Sequence, residues 1–415
     1  MFGIGRRTDS RLSTRPSSSD LAQLVPYAGA DAATIRDLTN GAVLLALKSG
    51  KIPPDWFVGH SLFLHSGQLE LQSANGERQF LSSVSPPARF PLPAPTKIRI
   101  RALGAVTFLQ VPNAVASEGS GEPIQRRPAD PHLATLSRIL ENKLASGDIP
   151  LPSMPDLAAK LNAAMHNPDS RSDDHDIAKL IQLDPALATK VIHLVNSAAF
   201  RFAHRADTVQ QAVTRLGRSR IRNLALGFLI RNAFDTRSPA LRKHANALWL
   251  RSCHVAAVSF TLARQLSLLD PERAMLAGLV HQIGVLPILG LAQQQPQLFG
   301  QAALLDIAVP TFEKRLGRFV LEHWKLGDDL VDVVDHAGDW RRIGYAVPDY
   351  VDIVLLAQRH ADMGRPGIDQ GPPIDSLPAF RKLELGRLTP RKSIRVLEEA
   401  EREIVELRRI LSGNG

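Results

Sequence analysis

The sequence IAKLIQLDPALATKVIHLVNSAAF spans residues 177–200, and QQAVTRLGRSRIRNLALGFLIRNAF spans residues 210–234. Asp184-Pro185 predicts a helix start, because aspartate caps free backbone N–H groups and proline fits the first helical position. Apolar residues then recur at helical spacing at Leu187, Val191, Leu194 and Val195, and again at Val209, Ala212, Val213 and Leu216. Gly217 predicts a helix end, and a third apolar face follows at Ile221, Leu224, Ala225 and Phe228. The stretch therefore predicts packed helices joined by tight corners, with no obvious catalytic group.

The order and spacing of these residues resemble the HDOD (HD-related output domain) family. The resemblance covers roughly residues 133–363. The family-motif residues are Asp184, Pro185, Asn196, Ser197, Gly217, Trp249, His281, Gln282 and Gly284. The resemblance implies an all-helical domain of the kind found mainly in bacterial signalling proteins. It also implies a relationship to HD metal-dependent phosphohydrolases whose metal ligands have usually been lost.

An HD phosphohydrolase needs histidine and aspartate ligands from several helices, because two cations must share them to activate water. The resemblance places the early histidine near Arg251, the His-Asp pair at His281-Gln282, a later histidine at His336 and the late aspartate near Gln358. A neutral amide does not balance a divalent cation as a carboxylate does, and an arginine repels one. The sequence therefore predicts no metal, no cofactor and no catalytic residue, with His281 and His336 as vestigial metal candidates.

Residues 20–112 have a different pattern. A short helix is predicted over residues 32–49, and short alternating apolar runs with turns predict strands after it. Ser66-Gly67 is interpreted as a turn within a hairpin, and Asn75-Gly76 is a strong signal for a second hairpin. Together the two regions predict a multidomain α+β protein, in which a small N-terminal β-roll or barrel with a short helix precedes an all-α HD-like domain.

The strand order of this N-terminal region weakly resembles the cyclic-nucleotide-binding domain. That resemblance implies a Gly-Glu pair for the sugar hydroxyl and an arginine for the cyclic phosphate. Arg89 is the candidate arginine, whereas Gly76-Glu77 lies too early in the chain. The region is therefore interpreted as a degenerate sensor or docking domain, with Arg89 as its weak ligand-binding candidate.

The remaining segments complete the predicted plan of the chain. They are a disordered tail (1–19), a linker (113–131), the HDOD domain (132–365), a loop (366–387) and a C-terminal amphipathic helix (388–411). The apolar residues of that helix have a 3-4-3-4 spacing typical of a short coiled-coil seam. The helix is therefore predicted either to form a homodimer or to dock on the main domain.

Composition limits the classes of function. The chain has 415 residues, a net charge of +9 and one cysteine, Cys253. The charge permits weak attraction to anions without arguing for nucleic acid or membrane, and the lone cysteine suits a cytoplasmic protein. Residues 1–20 lack the apolar core of a secretory signal. The uncharged stretch 274–292 contains His281, Gln282 and Pro287, so a buried helix with a turn is predicted there, not a membrane span.

A rival interpretation comes from four arginines around Gly217, at positions 215, 218, 220 and 222. They resemble the basic rim of a helix-turn-helix corner, and phosphate contacts need such residues. Base readout would also need an exposed polar helix face, whereas the residues after Gly217 are predicted to be buried.

Three hypotheses follow for the function. The first is a non-catalytic bacterial signal-transduction protein whose HDOD domain is a protein-interaction output module. The alternative is a divergent HD-type nucleotide or cyclic-dinucleotide phosphohydrolase. The second alternative is a nucleic-acid-binding regulator.

Overall fold

The computed structural model describes residues 10–11, 15–72, 78–95, 98–113, 138–143, 146, 149, 156–166, 174–200, 204–234, 239–265, 269–294, 302–363, 371–383 and 401–412. These residues form a small N-terminal β-domain followed by a helical domain, which confirms the predicted fold class. The predicted linker (113–131) lies outside the described residues, apart from Asn113.

The β-domain combines two antiparallel four-stranded sheets with two helices, α1 (Ser18–Ala22) and α2 (Ala32–Gly41). Its strands are β1 (Ser10–Arg11), β2 (Val43–Leu47), β3 (Gly50–Lys51), β4 (His60–Ser66), β5 (Gln68–Gln72), β6 (Arg78–Ser82), β7 (Arg99–Ala102) and β8 (Val106–Pro112). The sheet orders are β1-β2-β8-β4 and β3-β7-β5-β6. Alternate residues of both sheets, such as Leu62 and Leu69, point into a shared core.

Two predictions for this domain are wrong in detail. The helix predicted over residues 32–49 ends at Gly41, and β2 begins at Val43. The run of β4 and β5 is not a hairpin, since β4 pairs with β8 whereas β5 pairs with β6 and β7. Gly67 lets the chain pass between the sheets. Its φ is +97°, and a Cβ there would lie 2.6 Å from Val106 Cγ1.

The predicted hairpin at Asn75-Gly76 does join two paired strands, because β5 and β6 are antiparallel neighbours. The turn residues 73–77 themselves lie outside the described residues. The predicted disordered tail (1–19) also needs correction. Ser10 and Arg11 pair with β2, and Ser17 forms a capping box with Asp20 at the start of α1.

The helical domain is built from helices that follow the β-domain along the chain. They are α3 (Asp156–His166), α4 (Asp174–Gln182), α5 (Pro185–Val195), α6 (Val209–Leu216), α7 (Arg218–Ile230), α8 (Pro239–Gln265), α9 (Pro271–Val280), α10 (Val285–Gln294), α11 (Ala302–His323), α12 (Asp328–His336), α13 (Tyr350–Asp362), α14 (Pro378–Lys382) and α15 (Glu401–Ser412). Residues 138–143 are also helical. The long α8 is the central element, against which α9, α13 and α15 pack.

The apolar stretch Pro271–Gln294 is long and apolar enough to cross a membrane, but 89% of its most apolar window is buried inside the protein. A turn at residues 281–284 divides it into α9 and α10. Both halves belong to the helical core, as the sequence predicts. Cys253 also lies in this core, and burial raises the pKa of its thiol.

The last part of the chain departs from its predicted plan. The loop predicted over residues 366–387 contains α14. The apolar face of α15 is buried within the chain at Ile404, Leu407, Ile410 and Leu411, where it packs on α5 and α8. An ion pair of 2.5 Å between Arg264 and Glu403 fixes this contact. The described part of the C-terminal helix is therefore docked on the main domain, and this face is not available for a coiled coil.

A buried ion cluster lies where the two domains meet. Lys382 Nζ is 2.8 and 2.9 Å from the two Asp352 carboxylate oxygens, and both side chains are fully buried. Arg342 bonds Asp352 and Asp349. Burial raises the pKa of Asp352 to about 6, and the neighbouring Asp349 carboxylate adds to the shift. The Lys382 ammonium also lies 5.1 Å from the Phe90 ring of the β-domain.

Apolar residues extend this junction. Ala346 and Val347, from the helical part of the chain, belong to the core cluster of the β-domain. The Ala346 N–H donates to Pro91 O at 2.7 Å. The two domains are therefore joined by buried packing and buried charges together.

We expect Lys382→Met to destabilise the protein by about 3–5 kcal/mol, because it leaves buried carboxylates with too little positive charge. Urea unfolding would measure this, with the exposed Lys190→Met as the matched control. A loss below about 1 kcal/mol, which is typical of exposed ion pairs, would contradict the prediction.

Candidate functional site

Three elements of the helical domain bring four polar side chains together. Helix α8 supplies Arg251, the turn after α9 supplies His281 and Gln282, and the last residue of α13 supplies Asp362. Leu250 is exposed, whereas Trp249 and Cys253 are buried, so Arg251 lies at the edge of the buried face of α8. Its side chain crosses this edge and ends among the other three groups.

The Arg251 guanidinium is the centre of this cluster. Nε lies 3.1 Å from Asp362 Oδ1, and Nη2 lies 3.0 and 2.8 Å from the two Asp362 oxygens. Nη1 donates to Gln282 Oε1 at 2.9 Å and lies 3.1 Å from His281 Nε2. This forked pairing uses the planar donor geometry that distinguishes arginine from lysine.

His281 is fixed in one neutral form by its two neighbours. Its Nδ1 lies 2.7 Å from the Gly278 carbonyl, which can only accept, so Nδ1 carries the proton. Nε2 is then free to accept from Arg251. Burial lowers the pKa of His281 to about 3, and the Arg251 guanidinium contributes to the same shift.

Gln282 connects Arg251 to a further acidic residue on α11. Its oxygen accepts from Arg251, and its side chain also hydrogen-bonds the Glu313 carboxyl group. Burial raises the pKa of Glu313, and its Oε2 has no hydrogen-bond partner among the described residues. An amide suits this position because it can accept from the guanidinium and donate to the carboxyl group at once.

The structure brings together only part of the predicted metal set. Gln358 lies outside the cluster, where its Oε1 accepts from the Gly338 N–H at 3.2 Å. The His336 side chain is 43% exposed, and its Nδ1 lies 3.6 Å from Asp339 Oδ2. The carboxylate that shares Arg251 with His281 belongs to Asp362, one helical turn beyond Gln358, and was not predicted from the sequence.

The residues of this cluster do not fit a two-cation centre. Among the described residues, Asp362 is the only carboxylate bonded to Arg251, and the guanidinium engages it. His281 Nε2 faces the same cation, and Gln282 offers a neutral amide. Within the described residues, no group of three or more histidine, cysteine, aspartate or glutamate side chains is placed to hold a metal ion. The Arg251 guanidinium thus supplies the positive charge that balances the Asp362 carboxylate.

Two glycines explain how the turn approaches its neighbours so closely. A Cβ on Gly278 would lie 2.6 Å from Ala256 Cα of α8, and one on Gly284 would lie 1.8 Å from Glu313 O of α11. Only hydrogen atoms fit in these gaps. The glycines therefore set the depth at which His281 and Gln282 enter the cluster.

The other family-motif residues support the helices. The Asp184 side chain accepts from the Leu187 N–H at 3.0 Å and caps α5. Asn196 forms paired hydrogen bonds of 2.8 and 2.7 Å with the backbone of Ala206, which close the intervening loop. Ser197 is buried beside it. Gly217 has a φ of +82° at the corner between α6 and α7.

The arginines around Gly217 are engaged in contacts within the protein. Arg215 donates to the carbonyls of His204 and Arg205 at 2.6 and 2.9 Å. Arg220 lies 3.5 Å from Glu272 Oε2, and burial lowers the pKa of Arg222 to about 10. Helix α7 is buried at Ile221, Leu224, Ala225 and Phe228, as predicted. Beyond its first turn, α7 therefore lacks the exposed polar face that base readout needs.

Arg89, the candidate ligand residue of the β-domain, is exposed at the end of a short 3-10 helix. Its neighbours Ala88 and Phe90 are buried. The Gly76-Glu77 pair lies outside the described residues. The predicted resemblance to a cyclic-nucleotide-binding domain stays a prediction.

Comparison with known proteins identifies the helical domain. The family model of the HDOD domain matches residues 151–339, so this part of the chain is an HDOD domain. An uncharacterized protein of Treponema pallidum (strain Nichols) is 28% identical over 143 residues, or 32% of this chain and 25% of that protein. The chain thus spans about a quarter of the length of this curated relative.

Two solved structures align with about two thirds of this chain. A candidate metal-dependent phosphohydrolase of Shewanella amazonensis SB2B aligns with 68% of this chain and 98% of its own, at 23% identity and a TM-score of 0.56. An HDOD domain protein of unknown function from Geobacter sulfurreducens aligns with 67% of this chain and 98% of its own, at 21% identity and a TM-score of 0.49. The former structure supports the fold of the helical domain.

We expect acid to destabilise the protein through His281. Its folded-state pKa of about 3 lies below the ordinary value of 6.5, so the unfolded chain binds more protons between these values. The stabilisation is complete above about pH 6.5 and is lost as the pH falls, by about 2 kcal/mol between pH 7.5 and 5.

His281→Gln should remove this component of the pH dependence, because glutamine can still contact Gly278 and Arg251 but does not titrate. Urea unfolding at both pH values would measure the difference, with the exposed His193→Gln as control. Equal losses on acidification in the wild-type protein and His281→Gln would contradict the assignment.

Gly284→Ala should destabilise the protein by about 3 kcal/mol or more, since the new Cβ would overlap the backbone of α11. Gly104→Ala is the matched control, because a Cβ there has no neighbour within 4 Å. Thermal unfolding would compare the two variants. Similar melting temperatures for the two variants would show that the turn does not need its close approach to the backbone of α11.

Proposed function

We propose that this protein is a non-catalytic signal-transduction regulator, whose HDOD domain is a protein-interaction output module. The observation that carries this proposal is the position of Arg251. The resemblance to HD phosphohydrolases puts Arg251 at the place of a metal-binding histidine, and its guanidinium holds Asp362, Gln282 and His281 as hydrogen-bond partners. These side chains stabilise one another and leave no free donor set for activating water.

The β-domain fits the role of a regulatory module in this proposal. Its core includes Ala346 and Val347 of the helical part of the chain, and Phe90 lies against Lys382. A change in the β-domain would therefore reach α13 and α14 through buried contacts. Arg89 is retained as the candidate for a cyclic nucleotide at this domain. Because its side chain is exposed, we favour a degenerate sensor or docking domain.

The alternative function is a divergent HD-type phosphohydrolase for a nucleotide or cyclic dinucleotide. The retained His281 and the acidic pair Glu313 and Asp362 favour this alternative. Their arrangement around a guanidinium argues against it, because a cation at this place would meet the charge of Arg251.

Metal content and hydrolysis together test the proposal. We expect the purified protein to hold no stoichiometric metal and to show no turnover of cyclic mono- or dinucleotides with added manganese. The double variant Arg251→His/Gln282→Asp restores the residue types of an HD centre and serves as the comparison. Stoichiometric metal with turnover in the wild-type protein would overturn the non-catalytic proposal.

Capture of partners tests the output role. The full-length protein, cross-linked in cells of its natural host, should recover the same protein partner in independent repeats. Lys382→Met, which disturbs the domain junction, should change the amount recovered if the β-domain controls docking. The absence of a reproducible partner would count against the interaction module.

A further inference from the structure

A basic cavity of about 510 Å³ lies between α8 and α15, beside the Arg251 cluster. Its polar lining consists of Arg251, Arg408, Arg409 and Ser412, and its apolar lining includes Leu250 and Val405. No aspartate or glutamate is among these lining residues. The volume lies within the range of about 300–1,000 Å³ typical of small-molecule sites.

Arg408 is the residue that points to a ligand. It is half-buried, and no described residue offers it a hydrogen bond or an ion pair. Arg264 of α8 is also half-buried, but it is bonded to Glu403 and to Ala199 O. A partly desolvated guanidinium without an anionic partner is costly, and a bound anion would offset that cost.

The charges of the cavity define the class of ligand. Asp362 neutralises Arg251 through its two oxygens, which leaves Arg408 and Arg409 as uncompensated positive charges among the lining residues. Two guanidinium groups on successive residues of one helix offer several donors to one anion. Phosphate and diphosphate groups match this donor set, because guanidinium forks bind two of their oxygens at once.

The apolar lining residues indicate which kind of chemical group the phosphorylated ligand carries beside its phosphate. Leu250 and Val405 are 45% and 46% exposed, and they line the cavity from opposite helices. They provide a surface for a ring or a short carbon chain. We propose that this cavity is a binding site for a phosphorylated small molecule, held by Arg408 and Arg409 between α8 and α15.

This inference goes beyond the proposed function, because a ligand can bind here whether or not a protein docks elsewhere. The site shares Arg251 with the Arg251 cluster, and the docked helix α15 forms one of its walls. Occupation would therefore hold α15 against α8. A ligand bound in this way needs neither metal nor turnover.

Inorganic pyrophosphate is the probe for this site. Calorimetric titration of the full-length protein in EDTA, at constant ionic strength, should show saturable binding. Arg408→Gln should weaken the affinity at least tenfold, or about 1.4 kcal/mol. Arg409→Gln should weaken it several-fold. Arg36→Gln, an exposed arginine on α2 of the β-domain, should leave it unchanged.

The exposed position of Arg409 keeps the test informative if Arg408→Gln fails to fold. The proposal is overturned if pyrophosphate does not saturate, or if all three variants lose affinity equally. Binding that requires manganese and disappears in EDTA would also overturn it, and would favour the phosphohydrolase alternative instead.

Discussion

The pairing of Arg251 with Asp362 is the constraint on which the site depends. It joins the central helix α8 to the end of α13, and the remaining guanidinium donors reach the turn between α9 and α10. A single side chain thus links three elements that are distant in sequence. Because the guanidinium is charged and its partners are mostly buried, removal of either member would leave an unbalanced charge. The neutral state of His281 follows from the same arrangement.

The sequence predicted much of the helical domain because its signals are local. Asp184, Gly217 and the apolar spacing on either side define helix starts, ends and buried faces without reference to other elements. Arg251, His281 and Gln282 were found through their resemblance to a known motif. Asp362 was missed because periodicity on α13 leaves the register uncertain by one turn. Glu313 was missed because α11 has no motif, and only packing brings it to Gln282.

The β-domain shows a different limit of sequence reasoning. Alternating apolar residues predicted most of its strands, because each strand has one buried face. The pairing of β4 with β5 was wrong, since a glycine turn between two apolar runs is compatible both with a hairpin and with a crossing between sheets. The structure has the crossing between sheets, with Gly67 packed closely against Val106. These two residues are distant in the chain. Pairing depends on strands that are distant in the chain.

The domain junction has a consequence for how this protein can be divided. Lys382 and the Asp352 carboxylate that it neutralises both lie beyond the residues that match the HDOD domain. Ala346 and Val347 also lie beyond the matched residues, and they complete the core of the β-domain. A fragment cut at the family boundary would lose α13, which packs on α8 and supplies Asp362 as the counter-ion of Arg251, and would expose apolar surface on both pieces. The matched HDOD residues therefore do not form an independently transferable domain. A chimera that contains them must also contain α13, α14 and the β-domain.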